Sequence, residues 1–125
     1  MPLKHIPSEH YSRNVSSLKP NVTHHPDVIH PPTDTESYLL PAVFTVEKGS
    51  PITGTYVGPV VVYVVEGELQ YEDTLKPGEI TVVSAGDVVH ITGGTVAVWN
   101  SPSKGKGFAV LLVPSSVKGV EEFAS

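Results

Sequence analysis

The chain has no cysteine, which excludes disulfides, thiolate metal ligands and a cysteine nucleophile. Positive charge is scarce: Arg13 stands alone and the lysines are scattered singly in a chain of formal net charge -5. With no basic stripe and no interleaving of basic and aromatic residues, a nucleic-acid partner would lack its electrostatic footprint, and that class is set aside. Long apolar runs are missing too. The longest, Val60 to Val65, is far too short to cross a bilayer as a helix, and the opening MPLKHIPSEHYSRN holds no apolar stretch of signal-peptide length. No membrane partner and a cytoplasmic location are therefore expected. Asn14-Val15-Ser16 and Asn21-Val22-Thr23 match the glycosylation acceptor pattern, but such triplets arise by chance in many intracellular chains. Neither a glycine-rich phosphate loop, a nucleophile elbow nor a pair of catalytic carboxylates stands out.

What the chain does contain is β-structure. Its 125 residues, 39% apolar and 17% charged, suit one folded domain with a buried core. Residues 1–36 differ from the rest: they hold five of the six histidines, several prolines and little apolar periodicity. HHPDVIHPPTDT, from His24 to Thr35, reads as loop or extended chain because Pro26, Pro31 and Pro32 obstruct helix and sheet ladders. Val22, Val28 and Ile29 would anchor such an arm on the domain. From Tyr38 onward, short runs rich in valine, isoleucine, threonine and aromatics alternate with Gly, Pro or Ser-Ala-Gly breaks. They place strands at Tyr38 to Val46, Ile52 to Val57, Val60 to Val65, Glu68 to Asp73, Glu79 to Val83, Val88 to Thr92, Thr95 to Asn100 and Phe108 to Val113. One short helix is expected near Val117 to Phe123, weakened by Gly119. The pattern is that of an all-β sandwich or barrel.

In VVVYVV, Val60 to Val65, both alternating faces are apolar, so the strand needs cover on both sides. One face can line a barrel interior; the other calls for the N-terminal arm or a second subunit, and a homodimer is expected. After Gly67 the pattern changes to alternation, with Leu69 and Tyr71 apolar between Glu68, Gln70 and Glu72. A glycine at such a switch marks a turn or bulge that re-aims a strand.

Val64-Val65-Glu66-Gly67-Glu68-Leu69, then Pro77-Gly78, then Gly86-Asp87-Val88-Val89-His90-Ile91, resembles the cupin superfamily, and within it the small cupins of the ethanolamine-utilisation type. The first piece looks like the end of the first cupin motif and the last like the start of the second; the likeness spans roughly residues 38 to 113. It implies a single cupin-type jelly-roll barrel over residues 37–125 with an extended N-terminal arm over 1–36. Metal-dependent cupins place two histidines and a glutamate before the Glu-Gly turn and a third histidine in the second motif. Those places fall here on Gly54, Tyr56, Val60 and Ala97, or on Thr53 and Thr55 for the first two if a loop differs by one residue. The proline of the second motif is Thr92. A transition metal needs about three donors at about 2.0–2.3 Å, so no barrel metal and no cofactor is expected.

The same resemblance, with strand alternation, turns Gly54, Tyr56, Val60, Val62, Ala97 and Trp99 into the cavity, an apolar pocket carrying a phenol and an indole. A small hydrophobic or aromatic ligand suits it. His90, the one histidine of the barrel proper, is the expected general acid or base, with Tyr56 as hydrogen-bond donor or second acid; Gly54, Val60, Val62, Ala97 and Trp99 would bind substrate. The leading expectation is thus a metal-independent lyase, isomerase, dehydratase or cyclase. Two others stand beside it: a non-catalytic binding or structural cupin, and a metal-dependent one using His24, His25 or His30 of the arm. Glu66 and Asp87 are expected to brace the two turns.

Overall fold

The β-rich, glycine-punctuated sequence folds into strands throughout. The structure, a computed structural model, describes Ser16–Lys19, Val22–Pro26 and residues 37–114, with side chains from residue 37 onward. The strands are β1 (Ser16–Lys19), β2 (Val22–Pro26), β3 (Ser37–Glu47), β4 (Ile52–Thr55), β5 (Val60–Asp73), β6 (Ile80–Ser84), β7 (Val88–Ile91), β8 (Val96–Asn100) and β9 (Lys104–Pro114). Among the described residues there is no helix, and none long and apolar enough to cross a membrane. The expected helix near Val117 to Phe123 lies outside the described residues.

All pairings are antiparallel, and the strands fall into two leaves. One runs β1-β2-β3-β9-β5-β7 and the other β4-β8-β5-β6. β5 belongs to both. Its first half pairs with β9 and β7, and its second half with β6 and β8. The two strands expected at Val60 to Val65 and Glu68 to Asp73 are therefore one bent strand. Two residues make the bend. Val65 is the extra residue of a bulge, since Val64 pairs with Gly107 and Glu66 with the next residue, Lys106; such an insertion sharpens the local twist. Gly67 then takes a left-handed φ of 71°. The buried Ser101 hydroxyl locks the corner, donating to the Glu68 carbonyl at 2.6 Å and accepting from the Ser103 amide at 3.1 Å.

Side chains at every second position fill the space between the leaves, as the period of two requires. Leu40, Val46, Val60, Val62, Val64, Leu111 and Val113 come from the first leaf, and Ile52, Leu69, Ala97 and Trp99 from the second. Burial of each large aliphatic side chain contributes about 1.5–3 kcal/mol, so this filling is the main source of stability. β9 presents Gly105 and Gly107 inward, and a side chain at Gly107 would strike the Phe44 ring. The missing bulk is what admits Phe44.

The arm supplies a correction. His24, His25 and Pro26, expected in a loop or extended chain, pair with Phe44, Val43 and Ala42, so β2 extends the first leaf. Pro26 ends the strand, where its absent N–H interrupts no further ladder. Pro41 within β3 follows the same logic, sitting just past the end of β2. The remainder of His24 to Thr35, with Val28 and Ile29, lies outside the described residues.

On the outside of the first leaf, Val61, Tyr63 and Val65 of β5 are exposed. The register aligns Pro41, Val110, Val61 and His90 in one row and Val43, Phe108, Tyr63 and Val88 in the next. Beyond them lie Glu47 opposite Lys104, at 3.8 Å, and Glu66 opposite Lys106, at 3.9 Å.

Candidate functional site

The positions singled out from the sequence divide between the two faces. Gly54 of β4 stands directly opposite Ala97 of β8, and Ile52 opposite Trp99. Gly54, Ala97, Trp99, Val60 and Val62 are all buried. Tyr56 follows β4, its backbone clamped at both ends: its N–H donates to the Thr95 carbonyl at 3.0 Å and its carbonyl accepts from the Gly94 amide at 2.7 Å. From there the phenol folds back over Gly54. A β-carbon at Gly54 would collide with the Tyr56 hydroxyl and ring.

The Trp99 indole N–H donates to the Tyr56 hydroxyl oxygen at 2.8 Å. Tyr71 lies against the indole with centroids 5.3 Å apart, and Phe44 meets it edge-on at 6.1 Å. Burial pushes the Tyr56 phenol up to about 12, against the opposing pull of the Trp99 hydrogen bond. The phenol is therefore neutral at every physiological pH, a hydrogen-bonding group rather than a proton carrier. Just outside the ring, the cleft bounded by Val57, Gly58, Val60, Leu111 and Val113 is too narrow to hold a water molecule.

His90 is elsewhere. It lies on β7 between the buried Val89 and Ile91, so alternation turns its side chain to the exterior, where it pairs with the exposed Val61. It is the acid or base expected to work with Tyr56; the structure does not bring the two together. Asp87 braces its turn, accepting from the Ser84 amide at 2.9 Å, whereas Glu66 pairs with Lys106 instead of a turn amide. Two further residues flank the indole, Phe44 and Tyr71, neither of them among the expected site residues. Their alternation within β3 and β5 marked them as inward-facing, but nothing marked them as neighbours of Trp99.

The metal that many cupins carry does not fit these side chains. Gly54, Val60 and Ala97 offer no donor atom, and the fourth position is a neutral phenol already engaged by the indole. Among the described residues no three of His, Asp or Glu gather into a metal-binding group. Of His24 and His25 only the backbone is described, and His30 lies outside the described residues.

Two antiparallel leaves joined through a shared, bulged strand, with Glu-Gly at the bend and Gly-Asp before β7, are the cupin jelly roll. This chain has the fold of the small single-domain cupins. It is similar to an RmlC-like cupin from Shewanella frigidimarina at 19% identity and a TM-score of 0.61, covering 78% of this chain and 81% of that one. It is similar to ectoine synthase from P. lautus at 18% identity and a TM-score of 0.71, over 100% of this chain and 88% of the other. A putative ethanolamine utilization protein Q from Salmonella typhimurium matches at 19% identity and a TM-score of 0.58, over 72% and 68%. No protein-family model and no curated protein matches the chain. At these identities the shared property is the fold, and function has to be argued from the site.

Proposed function

We propose that this chain is a metal-independent cupin that binds a small, neutral aromatic or hydrophobic molecule in its barrel, acting as a binding module. The observation that carries the reading is the Tyr56–Trp99 pair beside Gly54 and Ala97. Two positions without bulk lie side by side on one leaf next to an indole N–H and a neutral phenol, so apolar shape and one hydrogen bond would select the ligand. An enzyme of the lyase, isomerase, dehydratase or cyclase type is the second reading, favoured by the likeness to a synthase along the whole chain. It needs a base, which the apolar inner wall lacks; the arm, with five of the six histidines, is where it would have to come from. Trp99 is the chain's single tryptophan, so its fluorescence reports on the site directly. Titration with a panel of simple phenols and aryl ketones is expected to shift or quench the emission saturably, with each compound recovered unchanged. A panel that leaves the emission untouched would sink the reading; conversion of a bound compound would favour the enzyme.

The partner assigned to the outer face of the first leaf is a second copy of the chain. β3 and β9 pair from Ser37 to Glu47, β9 and β5 from Val60 to Gly67, and β5 and β7 over the four residues Val88–Ile91; at about 4.8 Å between strands and about 3.4 Å per residue the face is on the order of 500 Å² in plan. That is short of the roughly 800 Å² one partner contributes to a standard interface and lies within the about 300–600 Å² of the largest apolar patch on a monomer, a size that often marks a functional surface. At its charged end Glu47, Lys104, Glu66 and Lys106 sum to zero, so two copies meeting there bring no net like charge together. Wild-type protein is expected to sediment as a dimer at micromolar concentration. Tyr63→Glu, at a side chain 46% exposed, should shift it to monomer without loss of fold, whereas Val82→Glu on the other leaf should not. A monomeric wild type would refute the interface.

A further inference from the structure

The Tyr56 side chain has the placement of a ligand. Its ring lies against the bare Cα of Gly54, across from Ala97, and its oxygen takes the only polar hydrogen the indole has to give. The cleft beside the ring, between Val57, Val60 and Leu111, has no room even for water. We infer that the Tyr56 phenol is an internal ligand, occupying the pocket until an incoming molecule displaces it and takes over the Trp99 hydrogen bond.

The chain is built for that exchange. The Tyr56 backbone is fixed by its bonds to Thr95 and Gly94, so the ring moves by side-chain rotation alone. Rotation uncovers Gly54, Ala97 and the edge of Trp99, and leaves the indole N–H without an acceptor. A buried donor left unpaired is unfavourable, so the displacing molecule has to bring an acceptor oxygen of its own. The shape vacated is that of a hydroxylated six-membered ring. The ligand class is therefore a neutral, planar aromatic bearing one hydroxyl or carbonyl oxygen; a carboxylate would be stranded in an apolar site with no cation among the described residues that line it.

This inference rests on the ligand-binding reading but differs from it in a measurable sign. If Tyr56 holds the ligand, removing its hydroxyl weakens binding. If Tyr56 competes with the ligand, removing the hydroxyl weakens the competitor and strengthens binding. With p-cresol, the side-chain analogue of tyrosine, as probe, calorimetry and Trp99 fluorescence on wild type and Tyr56→Phe should show about fivefold tighter binding to the variant, the equivalent of one ordinary hydrogen bond. Benzoate should bind neither. Far-UV circular dichroism and thermal melting verify that the variant is folded. Equal or weaker p-cresol binding by Tyr56→Phe overturns the internal ligand while leaving the binding module intact; failure of both proteins to bind any phenol or aryl ketone overturns both readings.

Discussion

Replacing Trp99 by alanine is expected to lower the stability of this protein by about 3–5 kcal/mol, the range for truncating a large buried aromatic side chain. Three losses coincide at this position. The indole is only 3% exposed, so its removal opens a cavity that neighbouring strands cannot close without breaking register. Its edge-on contact with Phe44 of β3 joins the two leaves, and Tyr71, its cross-strand partner on β5, packs beside it within the second leaf; aromatic pairs contribute about 0.5–1.5 kcal/mol beyond area burial. The Tyr56 hydroxyl also loses its donor. Urea unfolding followed by circular dichroism measures the difference, since the variant has no tryptophan left to report. Trp99→Phe, which keeps much of the volume, should recover part of the stability but none of the hydrogen bond. A loss below about 1 kcal/mol for Trp99→Ala would mean that the indole is not the joint between the leaves.

Gly67→Val should be comparably damaging, for a backbone reason. At φ 71° a side chain costs about 1–2 kcal/mol for left-handed geometry alone. Here it would also strike the Lys104 carbonyl. That atom belongs to β9, which pairs with β5 through Gly67 itself, so relief requires the two strands to part at the bend. A total loss above about 3 kcal/mol, or failure to fold, is the expected outcome. Gly86→Val is the control: its φ of 97° is left-handed too, but no atom lies within 4 Å of the added carbon. If both variants lose the same stability, the backbone geometry matters and the contact with β9 does not.

These two positions illustrate what could be read along the chain and what could not. Gly67 was visible as the point where VVVYVV gives way to the alternation of Leu69 and Tyr71, because a change of period is a local signal. That the residues on either side form one strand serving two leaves was not visible. Strand continuity depends on partners, and those partners, β9, β7, β6 and β8, come from later in the chain. The strand pairing of His24 and His25 was missed for a related reason. Proline was read as forbidding a ladder throughout its neighbourhood, when it forbids only the bonds its own nitrogen would make, and Pro26 stands where the ladder ends.

The site shows the same division. Counting from the Glu-Gly turn placed Gly54, Tyr56, Val60 and Ala97 by position, and the absence of donor atoms there could be read from residue types alone. His90 shows where that reading stops. A histidine in a strand whose neighbours are both valine and isoleucine carries no mark of which face it takes; the parity is set by the pairing of Val62 with Val89 and Val61 with His90, and a shift of one residue would have reversed it.

Composition, alternation and turn residues were thus enough for an all-β domain with a central strand apolar on both faces, and the Glu-Gly and Gly-Asp motifs carried its resemblance to the cupins. These are properties of residue type and of short-range spacing, which the covalent chain carries in full. The hydrogen bond from Trp99 to Tyr56, across 43 residues, the seating of the phenol on Gly54, and the banishment of His90 to the outer face were decided by the tertiary structure. Each depends on which strands become neighbours and in what register, and that is settled only when the two leaves close around a common core.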